Sequence, residues 1–254
     1  MPEDIKKAIL ICVDSAEVPR LLEGAKVGTL PHMGKLAKEG ALAPDLIAPS
    51  GGAAFATLAT GSSPTTHGVS EAGGKCGAEY LWEAWQRSSK QAVLFGYPAD
   101  RLPCKDVPQP SDAKGLATYL LTNPDWDLCF VLLGDGGLKV EGVEALDGAI
   151  GSISGAADDE TLIVVVGLPR GDVGGFVLFK GSGIRQGVVL KRAARLEDVA
   201  PTVSYLAEAS VPLDCEGGVV YQALEDPDMK VKELRACRRN YERLRRSSGP
   251  KVMC

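Results

Sequence analysis

The residues best suited to chemistry are carboxylates that close apolar runs. Asp14 ends AILICVD, Asp135 follows FVLLG, and Asp172 stands just past TLIVVVGLPRG. Brought together at one sheet edge, they could hold a hard cation such as Mg²⁺ or Mn²⁺ through oxygens alone. Solvated or helix-capping carboxylates are the other reading. The second constellation is Ser50-Gly51-Gly52-Ala53, which opens the apolar stretch AAFATLAT. The free N–H groups and positive dipole end of such a helix form an anion site. Ser50 is either the N-cap or a hydroxyl nucleophile. Lys139, four residues beyond Asp135, is either a partner for that carboxylate or a solvated surface cation. With Ser50, Gly51 and Gly52 it completes the expected anion-binding set.

Other signals carry less. Gly181-x-Gly183-x-x-x-Gly187 departs from a dinucleotide fingerprint and leads into Val188-Val189-Leu190 rather than a helix, and Gly134–Gly137 lacks the Lys-Ser/Thr of a P-loop. The seven cysteines are scattered with no Cys-x-x-Cys pair, so neither a disulfide framework nor a zinc knuckle is indicated. Cys12 and Cys129 lie inside apolar runs and read as core.

The elements that must position these groups are legible as alternating periods. Strands are expected at Ala8–Val13, Ala92–Gly96, Leu128–Leu133, Leu162–Val166 and Phe176–Phe179. Their unbroken Val, Ile, Leu and Phe content suits strands covered on both faces. Helical spacing links Leu30, Met33 and Leu36, with Thr29 as cap, Pro31 in the first turn and a stop at Gly40. It recurs at Val143, Leu146, Ile150 and Ile153, and at Val199, Val203 and Leu206. Tyr80, Trp82 and Trp85 suggest a helix after the Gly73–Gly77 segment, and Pro98–Lys114 reads as a loop. Strands alternating with helices predict an α/β fold, a mainly parallel sheet with helices on both faces.

Three ordered stretches carry a resemblance. The first is the strand ending at Asp14, followed by LPHMGKLAKEGA at Leu30–Ala41. The second is PSGGAAFATLATGSSPTTHGV at Pro49–Val69. The third runs from Gly181-Ser-Gly-Ile-Arg through LEDVAPT at Leu196–Thr202 to VPLDCEGGVV at Val211–Val220. Together the chain resembles the type I phosphodiesterase and nucleotide pyrophosphatase branch of the alkaline phosphatase superfamily. The resemblance implies an alkaline phosphatase-like core and hydrolysis of phosphate esters by two metal ions about 4 Å apart. It also implies a Thr or Ser nucleophile at a helix N-terminus, and Asp and His metal ligands, typically with three histidines.

Carried over position by position, that site is mostly missing. Asp14 and Asp135 keep a ligand type. The nucleophile's place falls on Gly51, and the histidine that should follow Asp135 is Lys139. A later Asp-His pair becomes Leu168 and Pro169, and the last histidine becomes Gly174. The chain has only two histidines, His32 and His67, neither at a ligand position of the family. The expectation is a non-catalytic member binding an anionic ligand or a protein partner at the old active-site face, with no cofactor or at most one Mg²⁺ or Mn²⁺. The alternatives are an active phosphoesterase with a rebuilt single-metal carboxylate site using Ser50 or water, and a scaffold acting through the tail.

Charge separates the two ends of the chain. Lys230–Lys251 holds nine Lys/Arg against two Glu, leaving 19 basic and 31 acidic residues elsewhere in a chain of net charge −5. Leu234, Cys237, Tyr241 and Leu244 fall at heptad-like spacing within this segment. Residues 1–225 are expected to form the α/β domain and 226–254 a basic helix or tail. The tail could dock on the acidic domain, self-associate, or bind nucleic acid, a membrane surface or an acidic protein. No apolar run reaches the length of a membrane span. The start MPEDIKKAILICVD reads as a strand rather than a signal peptide, so a cytoplasmic protein is expected.

Overall fold

A computed structural model of the chain describes residues 5–49, 52–70, 74–96, 110–135, 137–170, 174–226 and 228. They are organised by one sheet of eight strands: β1 (Lys7–Asp14), β2 (Ala41–Ile47), β3 (Ala92–Phe95), β4 (Leu128–Gly134), β5 (Thr161–Gly167), β6 (Gly175–Lys180), β7 (Val188–Val189) and β8 (Ala194–Arg195). The order is β3-β4-β1-β5-β6-β2-β7, with β8 also on β2. β1 pairs parallel with both β4 and β5, and β3 parallel with β4. β6 is antiparallel to both β5 and β2, so it alone runs against the rest. The expected mainly parallel sheet is present.

Side-chain alternation along β1 builds two cores at once. Ala8, Leu10 and Cys12 face one side, and Ile9, Ile11 and Val13 the other, all fully buried. The first side is covered by α3 (Ala53–Thr60), α5 (Leu81–Arg87) and α8 (Val199–Leu206), which contribute Leu58, Trp85 and Val203. The second is covered by α1 (Val18–Val27), α2 (Pro31–Glu39), α6 (Ala113–Thr122) and α7 (Val143–Ser154), contributing Leu21, Met33, Leu116 and Ile150. Burying each such side chain contributes about 1.5–3 kcal/mol, so a strand apolar on both faces is what this layering requires.

Two local expectations are corrected. The N-cap residue of α2 is Leu30, not Thr29, and it makes no side-chain cap bond. The capping acceptor is Asp147 of α7: its carboxylate accepts from the N–H of Met33 at 2.7 Å and of His32 at 3.2 Å. A buried carboxylate across the helix pair thus does what the local sequence does not. α2 stops at Gly40 as expected; its φ is −142°, and a Cβ there would lie 2.2 Å from the Phe179 carbonyl oxygen. Close approach of β6 therefore sets the glycine. Finally, α6 begins at Ala113, capped by Asp112, whose Oδ1 accepts from the N–H of Gly115 at 2.7 Å. The expected loop thus ends earlier than Lys114, and 97–109 lie outside the described residues.

Candidate functional site

Parallel neighbours place their following loops at one edge of the sheet. In the order β4-β1-β5, that edge receives Asp14, Asp135 and the segment Leu168–Arg170. The strand ends are tied closely. Asp14 is in register with Gly134, whose φ is +105° and whose hypothetical Cβ would lie 2.2 Å from the Asp14 carbonyl oxygen. The Asp135 N–H donates to that same oxygen at 2.9 Å, and the Leu168 N–H donates to the Val13 carbonyl at 2.9 Å. Both flanking loops thus start from the end of β1.

Across this edge, the half-exposed Arg170 guanidinium bonds the Asp135 carboxylate. The carboxylate of Asp135 first, and that of Asp14 second, raise the Arg170 pKa above its ordinary value. A positive charge therefore sits on Asp135 and within electrostatic reach of Asp14. Lys139, by contrast, is exposed, and among the described residues no ion pair holds it. The partner of Asp135 is Arg170. Sequence spacing missed it because Arg170 reaches Asp135 across the end of an intervening strand; the available signal was a cation just past the β5 run.

α3 reaches the same edge by topology. β2 is antiparallel to β6, which is antiparallel to β5, so β2 runs with β1 and its C-terminal end leads into α3. The N-cap residue is Gly52, so Ser50 stands two positions ahead of the cap and is not the N-cap itself. Gly52 supplies no side-chain cap bond. Ser50, Gly51 and Asp172 lie outside the described residues.

No family model matches the sequence, and no curated protein matches it. Solved structures do. A phosphonate monoester hydrolase from Silicibacter pomeroyi aligns with a TM-score of 0.66 at 13% identity, over 86% of this chain and 76% of that one. A phosphonate monoester hydrolase of Agrobacterium radiobacter gives 0.66 at 16% identity, over 87% and 77%. A protein in the alkaline phosphatase superfamily from Vibrio parahaemolyticus gives 0.60 at 15% identity, over 86% and 70%. The chain shares its fold with these structures.

Within this fold both histidines make contacts inside the chain. His67 is fully buried; its Nδ1 accepts from the Val69 N–H at 3.0 Å, which leaves the proton on Nε2 to donate to Thr57 Oγ1 at 2.9 Å. Burial lowers its pKa, against smaller opposing effects of Glu216 and Glu197. His32 packs its ring on Gly151 of α7, where a Cβ would lie 2.2 Å from the ring. Among the described residues no group of three His, Cys, Asp or Glu side chains is disposed to hold a metal ion. Burial pushes the thiols of Cys12 and Cys129 up, which keeps both inert. No helix among the described residues is long and apolar enough to cross a membrane.

The motif stretches also hold one another. Gly61 accepts at its carbonyl from the N–H groups of Glu216 and Gly217, at 2.9 and 3.1 Å. The Glu216 carboxylate accepts from Thr66 Oγ1 and from the Ser63 N–H, and these bonds lower its pKa. The turn after α3, through the short helix α4 (Pro64–His67), is thereby fastened to the segment that follows α8.

Proposed function

We propose that this chain is a non-catalytic protein on the alkaline phosphatase fold that binds an anionic ligand at the edge formed by the ends of β1, β4 and β5. The observation that carries the reading is the Arg170 guanidinium on Asp135 with Asp14 beside it. A cation brought to these carboxylates would meet a resident positive charge at short range. The histidines that a two-metal phosphodiesterase centre uses are absent from the edge, since His67 serves a turn and His32 a helix contact. The donor set therefore does not fit that centre. Arg170, exposed Lys139 and the start of α3, where Gly52 makes no side-chain cap bond, favour an anion instead.

The test is metal content of the purified protein, with hydrolysis of a generic phosphodiester and phosphomonoester under added Zn²⁺, Mn²⁺ or Mg²⁺. The expected result is neither metal nor turnover. Millimolar phosphate should raise the melting temperature of the wild type and not of Arg170→Ala. Near-stoichiometric metal, with turnover lost in Asp14→Ala, would instead establish a rebuilt single-metal phosphoesterase.

A further inference from the structure

The stretch from Glu208 to Asp228 carries six acids (Glu208, Asp214, Glu216, Glu225, Asp226 and Asp228) and no Lys or Arg. Its described part is a strap laid along the α5 and α8 side of the sheet. The Ser210 N–H donates to Ser88 Oγ at 2.9 Å, the Leu213 N–H to the Glu79 carboxylate at 2.7 Å, and the Gly218 N–H to the Asp198 carboxylate at 2.9 Å. With its backbone so held, the strap turns apolar side chains outward. Of seven large hydrophobic residues exposed among the described residues, Val211, Leu213 and Tyr221 lie here, Leu213 at 76%. From neighbouring elements the Arg87 guanidinium donates to the Val211 carbonyl at 3.0 Å and that of Arg185 to the Gln222 carbonyl at 3.3 Å, so cations already meet the strap at its backbone.

The complement follows at once in the same chain. Lys230–Arg246 has eight Lys/Arg against two Glu, with Leu234, Cys237, Tyr241 and Leu244 spaced by three, four and three. These residues lie outside the described ones. The strap's last anchors, the Arg185 N–H to the Ala223 carbonyl and the Glu225 N–H to the Gly183 carbonyl, both at 2.9 Å, fix where the basic segment departs.

We infer that the strap is the docking surface for the chain's own segment Lys230–Arg246, its apolar residues on Val211, Leu213 and Tyr221 and its cations over Asp214, Glu225 and Asp228. Charge and tether decide the occupant. Pairing two such basic segments in a dimer would juxtapose eight cations with eight more. An anionic membrane or nucleic acid would be repelled by the acidic strap beside the segment. A tethered partner arrives at millimolar effective concentration without any of these penalties. This inference is independent of the anion-binding reading.

Trypsin cleavage of the full chain after Arg238, Arg239 and Arg243 reads the contact directly. The rate is followed at about 50 and 500 mM salt and normalised to cleavage of a free peptide of residues 230–246, with the molar mass from light scattering at both salts. Docking predicts a monomer cleaved at least tenfold more slowly at low salt. It also predicts that Leu213→Ser/Asp214→Asn/Glu225→Gln, shown folded by circular dichroism, is cleaved at the unprotected rate in both. Equal normalised rates at the two salts would overturn the inference. So would protection that disappears on dilution along with a dimer mass, since the occupant would then be a second copy.

Discussion

The His67 ring is fixed by one acceptor bond and one donor bond inside a buried turn, so its neutral form is the one the fold uses. Protonation would put a second N–H against the Val69 N–H. The sign of the pH effect follows. Its folded pKa lies below the usual 6.5, so the unfolded chain takes up the proton first as pH falls. The stability it supplies is complete above about pH 6.5 and is lost as pH drops through the interval down to the lowered folded pKa. The carboxylate of Glu216, held below its usual range, acts only at lower pH. Urea unfolding at pH 7.5 and 5.5 should therefore show a loss in the wild type that is absent from His67→Ala. That variant should itself be about 3 kcal/mol less stable at pH 7.5, because Thr57 and the Val69 N–H lose a buried partner. A pH response identical in both proteins would remove His67 as its cause.

At the scale of elements, the joint between α2 and β2 is one of the tight backbone approaches in the sheet. Gly40 sits where any Cβ would strike the backbone oxygen of Phe179, and backbone cannot step aside as a flexible side chain can. Gly40→Ala is expected to cost about 3 kcal/mol by forcing β2 off β6, seen as a lowered urea midpoint with an unchanged slope. Substitution at Gly28, a left-handed position with open space around it, should cost less. The same region shows why some elements were legible in the sequence and others were not. β1, β4 and β5 are buried on both faces and write themselves as unbroken apolar runs. β2 reads ALAPDLI; Pro44 and Asp45 are accommodated by a register shift between Ala43 and Leu46, so the run looks like a loop. At the candidate site, Asp14 and Asp135 could be placed at strand ends from sequence. Arg170 could not be assigned to Asp135, because that contact depends on strand order, which periodicity does not contain.

The whole molecule has an uneven charge distribution. Among the described residues, the members of the two buried cores lie between Ile5 and Leu224, and the last of them, Ala223 and Leu224, are anchored by Arg185 and by a bridge to Ile184. Deleting Pro227–Cys254 should therefore leave the circular dichroism spectrum and the urea slope unchanged. Exposed ion pairs contribute about 0–1 kcal/mol each, so the midpoint should move by roughly 1–2 kcal/mol of stability at low salt and by less at high salt. The deletion also removes nine cations and three acids, leaving 19 basic against 30 acidic residues. The shortened protein should bind an anion exchanger more tightly than the full chain. If the deletion instead yielded an unfolded or aggregated protein, the segment would be part of the folding unit, and the boundary near residue 225 would have to be given up. A folded product with its phosphate response intact would place the anion-binding edge and the basic segment in separate roles.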